Sequence, residues 1–140
     1  MMRQVLLDTG PLVASLDYND AYHAWVKPLW TQVQPPFLTC ESVISETCFL
    51  LNRVPGAKRA VFELLRRQIV TISFQLSDHI VPVAALLKKY SDVPISVADA
   101  CLVRMAERFD QSAVLTLDTD FRIYRKHGRG VIPLIIPDAL

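Results

Sequence analysis

The sequence predicts an α/β fold, a mostly parallel central sheet of about five strands with helices on both faces. Short apolar runs, too short for helices and mostly rich in β-branched residues, alternate with longer stretches of helical period. Alternation of that kind is the pattern of strands joined by crossover helices. At 140 residues and 51% hydrophobic content, the chain is also the size of one ordinary domain. Such a chain buries roughly two-thirds of the surface it exposes when unfolded, so it needs no staples.

The elements follow in order. Val5-Leu6-Leu7 reads as the first strand, and Thr9 as N-cap with Pro11 in the first turn starts a short helix ending near Leu16. A second helical stretch, 20–33, contains Pro28, which should kink or break it; Trp25, Leu29 and Trp30 there pack into the core or form an exposed aromatic patch. After Pro35-Pro36, Phe37-Leu38-Thr39 is the second strand. A helix over 42–52 aligns Ile44, Cys48 and Leu51 on one face. The next, over 57–68, buries Val61, Leu64 and Leu65 and turns Lys58, Arg59, Arg66 and Arg67 outward. Val70-Thr71-Ile72-Ser73-Phe74 is the third strand. A fifth helix over 77–90 ends in Lys88-Lys89, cations that suit a helix C-terminus. A sixth spans 96–109 and leads to the fourth strand, Ala113-Val114-Leu115-Thr116-Leu117. The last run, 131–136, carries Pro133, which lacks a ladder donor and so belongs at a sheet edge. No repeat, low-complexity segment or linker interrupts this order, so residues 1–140 read as a single domain.

Charge and cysteine content narrow the function classes. A net charge of +1 rules out a broadly basic nucleic-acid coat, and any nucleic-acid contact must come from local clusters. Cys40, Cys48 and Cys101 are odd in number and lack Cys-x-x-Cys spacing, which reads as reduced, buried thiols. Met1-Met2-Arg3 before Val5-Leu6-Leu7 superficially suggests a signal peptide, but Asp8 and Gly10-Pro11 interrupt the apolar run. No stretch approaches the ~18 apolar residues of a spanning helix. A cytoplasmic protein without membrane contact is expected.

The informative acids are placed by the elements. Asp8 ends the first strand, Glu46 sits on the helix after the second, Asp99 opens the sixth helix, and Asp118 and Asp120 follow the fourth strand. Ligands of open parallel sheets bind beyond the carboxyl ends of the strands. Acids distant in sequence therefore converge, and like charges so close oppose folding unless a cation neutralises them. Hard divalent ions such as Mg²⁺ or Mn²⁺ take oxygen ligands. His23, His79 and His127 lack metal spacing, so zinc is not expected. Each acid also has a plain structural reading. Asp8 caps a helix, Ser96-x-x-Asp99 is a capping box, Asp118 and Asp120 are turn acids, and Glu46 is a solvated helix residue, although its place close to the apolar stripe favours the functional reading.

At these residues the chain resembles the PIN-domain nucleases, particularly the VapC-like toxins of toxin–antitoxin pairs. Four segments carry the resemblance in order, nearly along the whole chain: Val5-Leu6-Leu7-Asp8-Thr9, Ser42-Val43-Ile44-Ser45-Glu46-Thr47, Ile95-Ser96-Val97-Ala98-Asp99-Ala100 and Leu115-Thr116-Leu117-Asp118-Thr119-Asp120-Phe121. The resemblance implies a PIN-like three-layer sandwich and an endoribonuclease dependent on Mg²⁺ or Mn²⁺. Asp8 and Asp99 would be principal metal ligands, Glu46 and Asp118 would complete the acidic centre, and Asp120 would support it. Thr9 and Thr116, beside Asp8 and near Asp118, would orient a metal-holding carboxylate or contact a phosphate through their hydroxyls. It further implies an RNA substrate, a homodimer and an antitoxin partner. A solitary RNA-processing nuclease and a catalytically silent RNA- or protein-binding scaffold are the alternatives.

An acidic centre needs cations to hold flanking phosphates. Arg122, Arg125, Lys126 and Arg129, with Tyr124 as a stacking platform, are expected to grip RNA, although a solvated face explains each singly. Other motifs point elsewhere. Asp8-Thr9-Gly10 is the triplet of aspartic proteases, which requires an all-β dimer and conflicts with the helical periodicity. Asp118-x-Asp120 resembles a phosphatase nucleophile motif but stands too late in the chain, and a receiver domain needs a lysine that the last strand lacks.

Overall fold

The structure, a computed structural model, describes residues 3–140; Met1 and Met2, the start of the leader-like segment, lie outside the described residues. It opens with β1 (Gln4–Leu7), α1 (Thr9–Leu16), α2 (His23–Val26), α3 (Leu29–Gln32) and β2 (Phe37–Thr39). It continues with α4 (Glu41–Leu50), α5 (Ala57–Arg66), β3 (Val70–Ile72), a 3₁₀ turn at Leu76–Asp78, α6 (Ile80–Lys89) and α7 (Val97–Arg108). It closes with β4 (Ser112–Leu115), a 3₁₀ turn at Thr119–Arg122, and the short strands β5 (Arg125–Lys126), β6 (Gly130–Val131) and β7 (Leu134–Ile135).

Five strands line up as β3-β2-β1-β4-β7, every neighbouring pair parallel. Successive strand residues point to opposite faces, and the side chains divide accordingly. Leu6, Leu38 and Val114 face Val83 and Leu86 of α6 and the buried side of α7. Val5, Leu7, Phe37 and Leu115 face Leu12 of α1 and Val61 of α5, with Trp25, Leu29 and Trp30 packed at the margin. Helices therefore cover both faces, and the three-layer α/β architecture follows. The all-β protease reading is overturned, because Asp8-Thr9-Gly10 leads into a helix.

Proline corrects several expected boundaries. The 20–33 stretch forms two single-turn helices, with Pro28 as N-cap of α3. The expected last strand splits around Pro133. Gly130–Val131 joins an antiparallel hairpin with β5, whereas β7 sits at the sheet edge and the Pro133 carbonyl accepts the Val114 N–H. The first helix starts one residue early, capped by Asp8 rather than Thr9. The chain lays β2 and β3 on one side of β1 and then returns to lay β4 on the other. The order reverses between β1 and β4, where an open α/β sheet leaves a crevice beyond its carboxyl edge.

Candidate acidic site

Asp8 follows β1 directly into that crevice. It is 6% exposed, and both carboxylate oxygens are engaged: Thr9 N–H donates to Oδ1 at 2.7 Å and the Thr116 hydroxyl to Oδ2 at 2.6 Å. Thr116 also accepts the Asp118 N–H at 2.9 Å, so one buried hydroxyl ties the end of β1 to the loop after β4. Asp99 lies in the first turn of α7, where Ser96 and Asp99 form a reciprocal capping box. Its Oδ2 accepts from Ser96 N–H at 3.2 Å and from the Tyr124 hydroxyl at 3.4 Å, leaving Oδ1 without a protein donor among the described residues. Asp118 spends one oxygen, Oδ1, on the Asp120 N–H. Glu46, midway along α4, is exposed.

These four acids line one cleft of about 510 Å³, together with Thr9, Gly10, Leu50, Leu117, Thr119 and Leu140. Asp120 is outside that lining; its backbone orients Asp118, and its charge acts on Tyr124. Thr9 Oγ1 is buried beside the cleft and has no hydrogen-bond partner among the described residues. Sequence reasoning missed Gly10, whose signal was its place between Thr9 and Pro11. A Cβ there would meet the Leu117 side chain at 3.3 Å, so only glycine fits without a shift.

The electrostatics follow from burial and mutual repulsion. Burial foremost, then the charges of Asp99 and Asp118, raise Asp8 to about 7 against the lowering pull of its two donors. Burial, then the Asp118 charge, raises Asp99; burial, then the Asp99 charge, raises Glu46. None of the four acids forms an ion pair among the described residues. The lining offers hard oxygen donors and neither thiol nor imidazole, which fits a hydrated divalent cation. No three His, Cys, Asp or Glu side chains among the described residues close on a common point. The donor set therefore suits an ion that keeps several waters rather than an all-protein cage.

The basic cluster is more mixed. Arg122 and Arg129 are exposed, but the Arg122 guanidinium donates to the Leu140 carbonyl at 2.7 Å. Arg125 is half-buried and donates to the carbonyls of Arg122, Ile123 and Tyr124, and Lys126 is half-buried on the hairpin. Tyr124 does not form a stacking platform. Its ring is fully buried, edge-on to Tyr90 and Phe121, and its hydroxyl serves Asp99.

Fold and cleft together define an α/β protein with a carboxylate-lined pocket at the switch point of its sheet. The profile of the PIN domain family matches residues 5–127, and the chain belongs to that family. Over 134 residues it is 25% identical to Ribonuclease VapC26 of Mycobacterium tuberculosis, covering 93% of each chain. Its fold is similar to the crystal structure of Mycobacterium tuberculosis VapC20, a sarcin–ricin loop cleaving toxin. The TM-score is 0.75 at 24% identity, over 84% of this chain and 92% of that one.

Proposed function

We propose that this chain is a single-domain endoribonuclease dependent on Mg²⁺ or Mn²⁺, the toxin of a type II toxin–antitoxin pair that acts as a homodimer. The observation that carries the reading is the convergence of Asp8, Glu46, Asp99 and Asp118, from four separate elements, on one cleft without a cationic partner among the described residues. Unneutralised like charges this close oppose folding, so their joint presence has a chemical use. The relative that is 25% identical is named a ribonuclease, which supports RNA as substrate, and the antitoxin rests on the resemblance of the four motif segments to the VapC-like toxins.

Asp8 and Asp99 would hold the ion, since both are fixed by donors and Asp99 keeps Oδ1 free. Asp118, whose Oδ2 has no protein donor among the described residues, would hold a water of that ion. A bound divalent cation supplies positive charge that lets the phosphodiester approach the acids and ease ionisation of the attacking water. Glu46 is exposed and unanchored, with its affinity for protons raised, and so suits taking the proton of that water on a carboxylate oxygen. Thr9 Oγ1, buried and unpartnered at the cleft wall, suits a non-bridging phosphate oxygen. The deciding experiment is an RNA-cleavage assay with Mn²⁺ or Mg²⁺. Cleavage is expected to vanish with EDTA and to fall at least about a hundredfold in Glu46→Gln, Asp8→Asn and Asp99→Asn. Full activity in the two aspartate variants rejects the site.

A further inference from the structure

We propose that Tyr18, with Arg53 and Lys27 on either side, forms a binding track for single-stranded RNA, in which the ring stacks a base and the two cations hold flanking phosphates. This rests on the ribonuclease reading and deepens it by naming where the substrate lies outside the acidic cleft.

The helices lead there. Thr9 and Gly10 of α1 wall the acidic cleft, and Tyr18 lies just past the other end of that helix, about 12 Å along at 1.5 Å per residue. α1 packs against α4, whose Glu46 and Leu50 wall the same cleft and whose end is followed by Arg53. Beyond lies a second cleft of about 450 Å³ that includes Tyr18, Asn19, Arg53 and Gly56. A third, of about 360 Å³, is lined by Ser15, Tyr18, His23 and Lys27. Tyr18 is thus the wall between two clefts, each with a cation.

Tyr18 is 81% exposed, yet its ring lies 4.8 Å from the His23 ring, which is fixed in turn by Nδ1 on the Ala14 carbonyl at 2.7 Å. Neither the Arg53 nor the Lys27 side chain makes a hydrogen bond or ion pair within the described residues. Two carboxylates also stand here, Asp17 in the lining of the second cleft, where it accepts the Asn19 N–H, and Asp20, which accepts the Tyr22 N–H, so ring stacking carries most of the expected affinity. By contrast with Arg53 and Lys27, Arg122 and Arg125 are spent on backbone carbonyls. A propped, solvent-facing ring between free cations is the arrangement that binds single strands by stacking and phosphate contact.

The test is fluorescence-anisotropy binding of a short, single-stranded RNA in EDTA, where the proposed ion is stripped and the strand is left uncut. Tyr18→Ala should weaken binding about tenfold with an unchanged salt slope, and Tyr18→Phe should keep wild-type affinity. Arg53→Gln should weaken binding and flatten the dependence of log Kd on log salt by about 0.7. No measurable binding by the wild type, wild-type affinity in both Tyr18→Ala and Arg53→Gln, or equal losses in Tyr18→Ala and Tyr18→Phe overturns the track. Binding through Tyr18 with no cutting of RNA in Mn²⁺ sinks the nuclease reading alone. Cutting with variant-insensitive binding sinks the track alone.

Discussion

Asp8 shows how one residue can be bound by structure at a proposed site. Its carboxylate caps α1 and is pinned by Thr116, so the group proposed to hold the ion is also the helix cap. Thr116→Val keeps the side chain's shape but deletes both its hydrogen bonds. Loss of such an orienting group typically lowers activity 10–100-fold, so kcat for RNA at saturating Mn²⁺ is expected to fall by about that factor. Thr116→Ser should restore it, and a wild-type kcat in the valine variant would falsify the pinning role. Tyr124 teaches the opposite lesson. An aromatic residue among arginines read as a surface platform, yet burial against Tyr90 and Phe121 turned its hydroxyl toward Asp99. Tyr18, which does stand in solvent, carried no sequence signal, because exposure of a loop residue depends on what packs behind it.

At the scale of elements, the capping box at Ser96 sets where α7 begins and thereby where Asp99 sits. Ser96→Ala removes the acceptor for the Asp99 N–H. The expected loss is about 1 kcal/mol, seen as a drop of about 3 °C in Tm, with activity reduced by less than about tenfold because the Ser96 N–H still holds Asp99. An unchanged Tm in a calorimetric scan counts against the cap. Helix periodicity was legible in α4, α5 and α7, whose apolar stripes match their buried faces. Residues 57–68 illustrate it, with Val61 buried and Lys58, Arg59, Arg66 and Arg67 exposed. Boundaries near proline were less so: Pro28 made two short helices out of one stretch, and Pro133 made two strands out of one run.

For the molecule as a whole, the raised acids link stability to pH. Asp8, at about 7, and Asp99 and Glu46, both above their ordinary range, bind protons more tightly folded than unfolded. The Asp8 contribution is complete below about pH 4 and disappears as pH climbs through about 7, and those of Asp99 and Glu46 are lost in the same direction, with rising pH. The metal-free protein should therefore lose on the order of 5 °C in Tm between pH 5 and pH 8. Asp8→Asn should flatten most of that fall, and Mn²⁺ should restore Tm at pH 8, since a ligand of the folded state stabilises it. A metal-free Tm that climbs from pH 5 to pH 8 contradicts the shared burial of these acids.

What the sequence determined by itself was local: the strand and helix periods, the position of each acid at the end or start of an element, and the ordered motifs that resemble the PIN family. These are legible because periodicity and capping act over a few residues. Tertiary structure decided the strand order, with its reversal between β1 and β4, and so brought Asp8 within reach of Thr116. It also decided which aromatic ring faces water and which arginines are spent on carbonyls. Those outcomes depend on contacts between residues far apart in the chain, and no short window of sequence contains both partners.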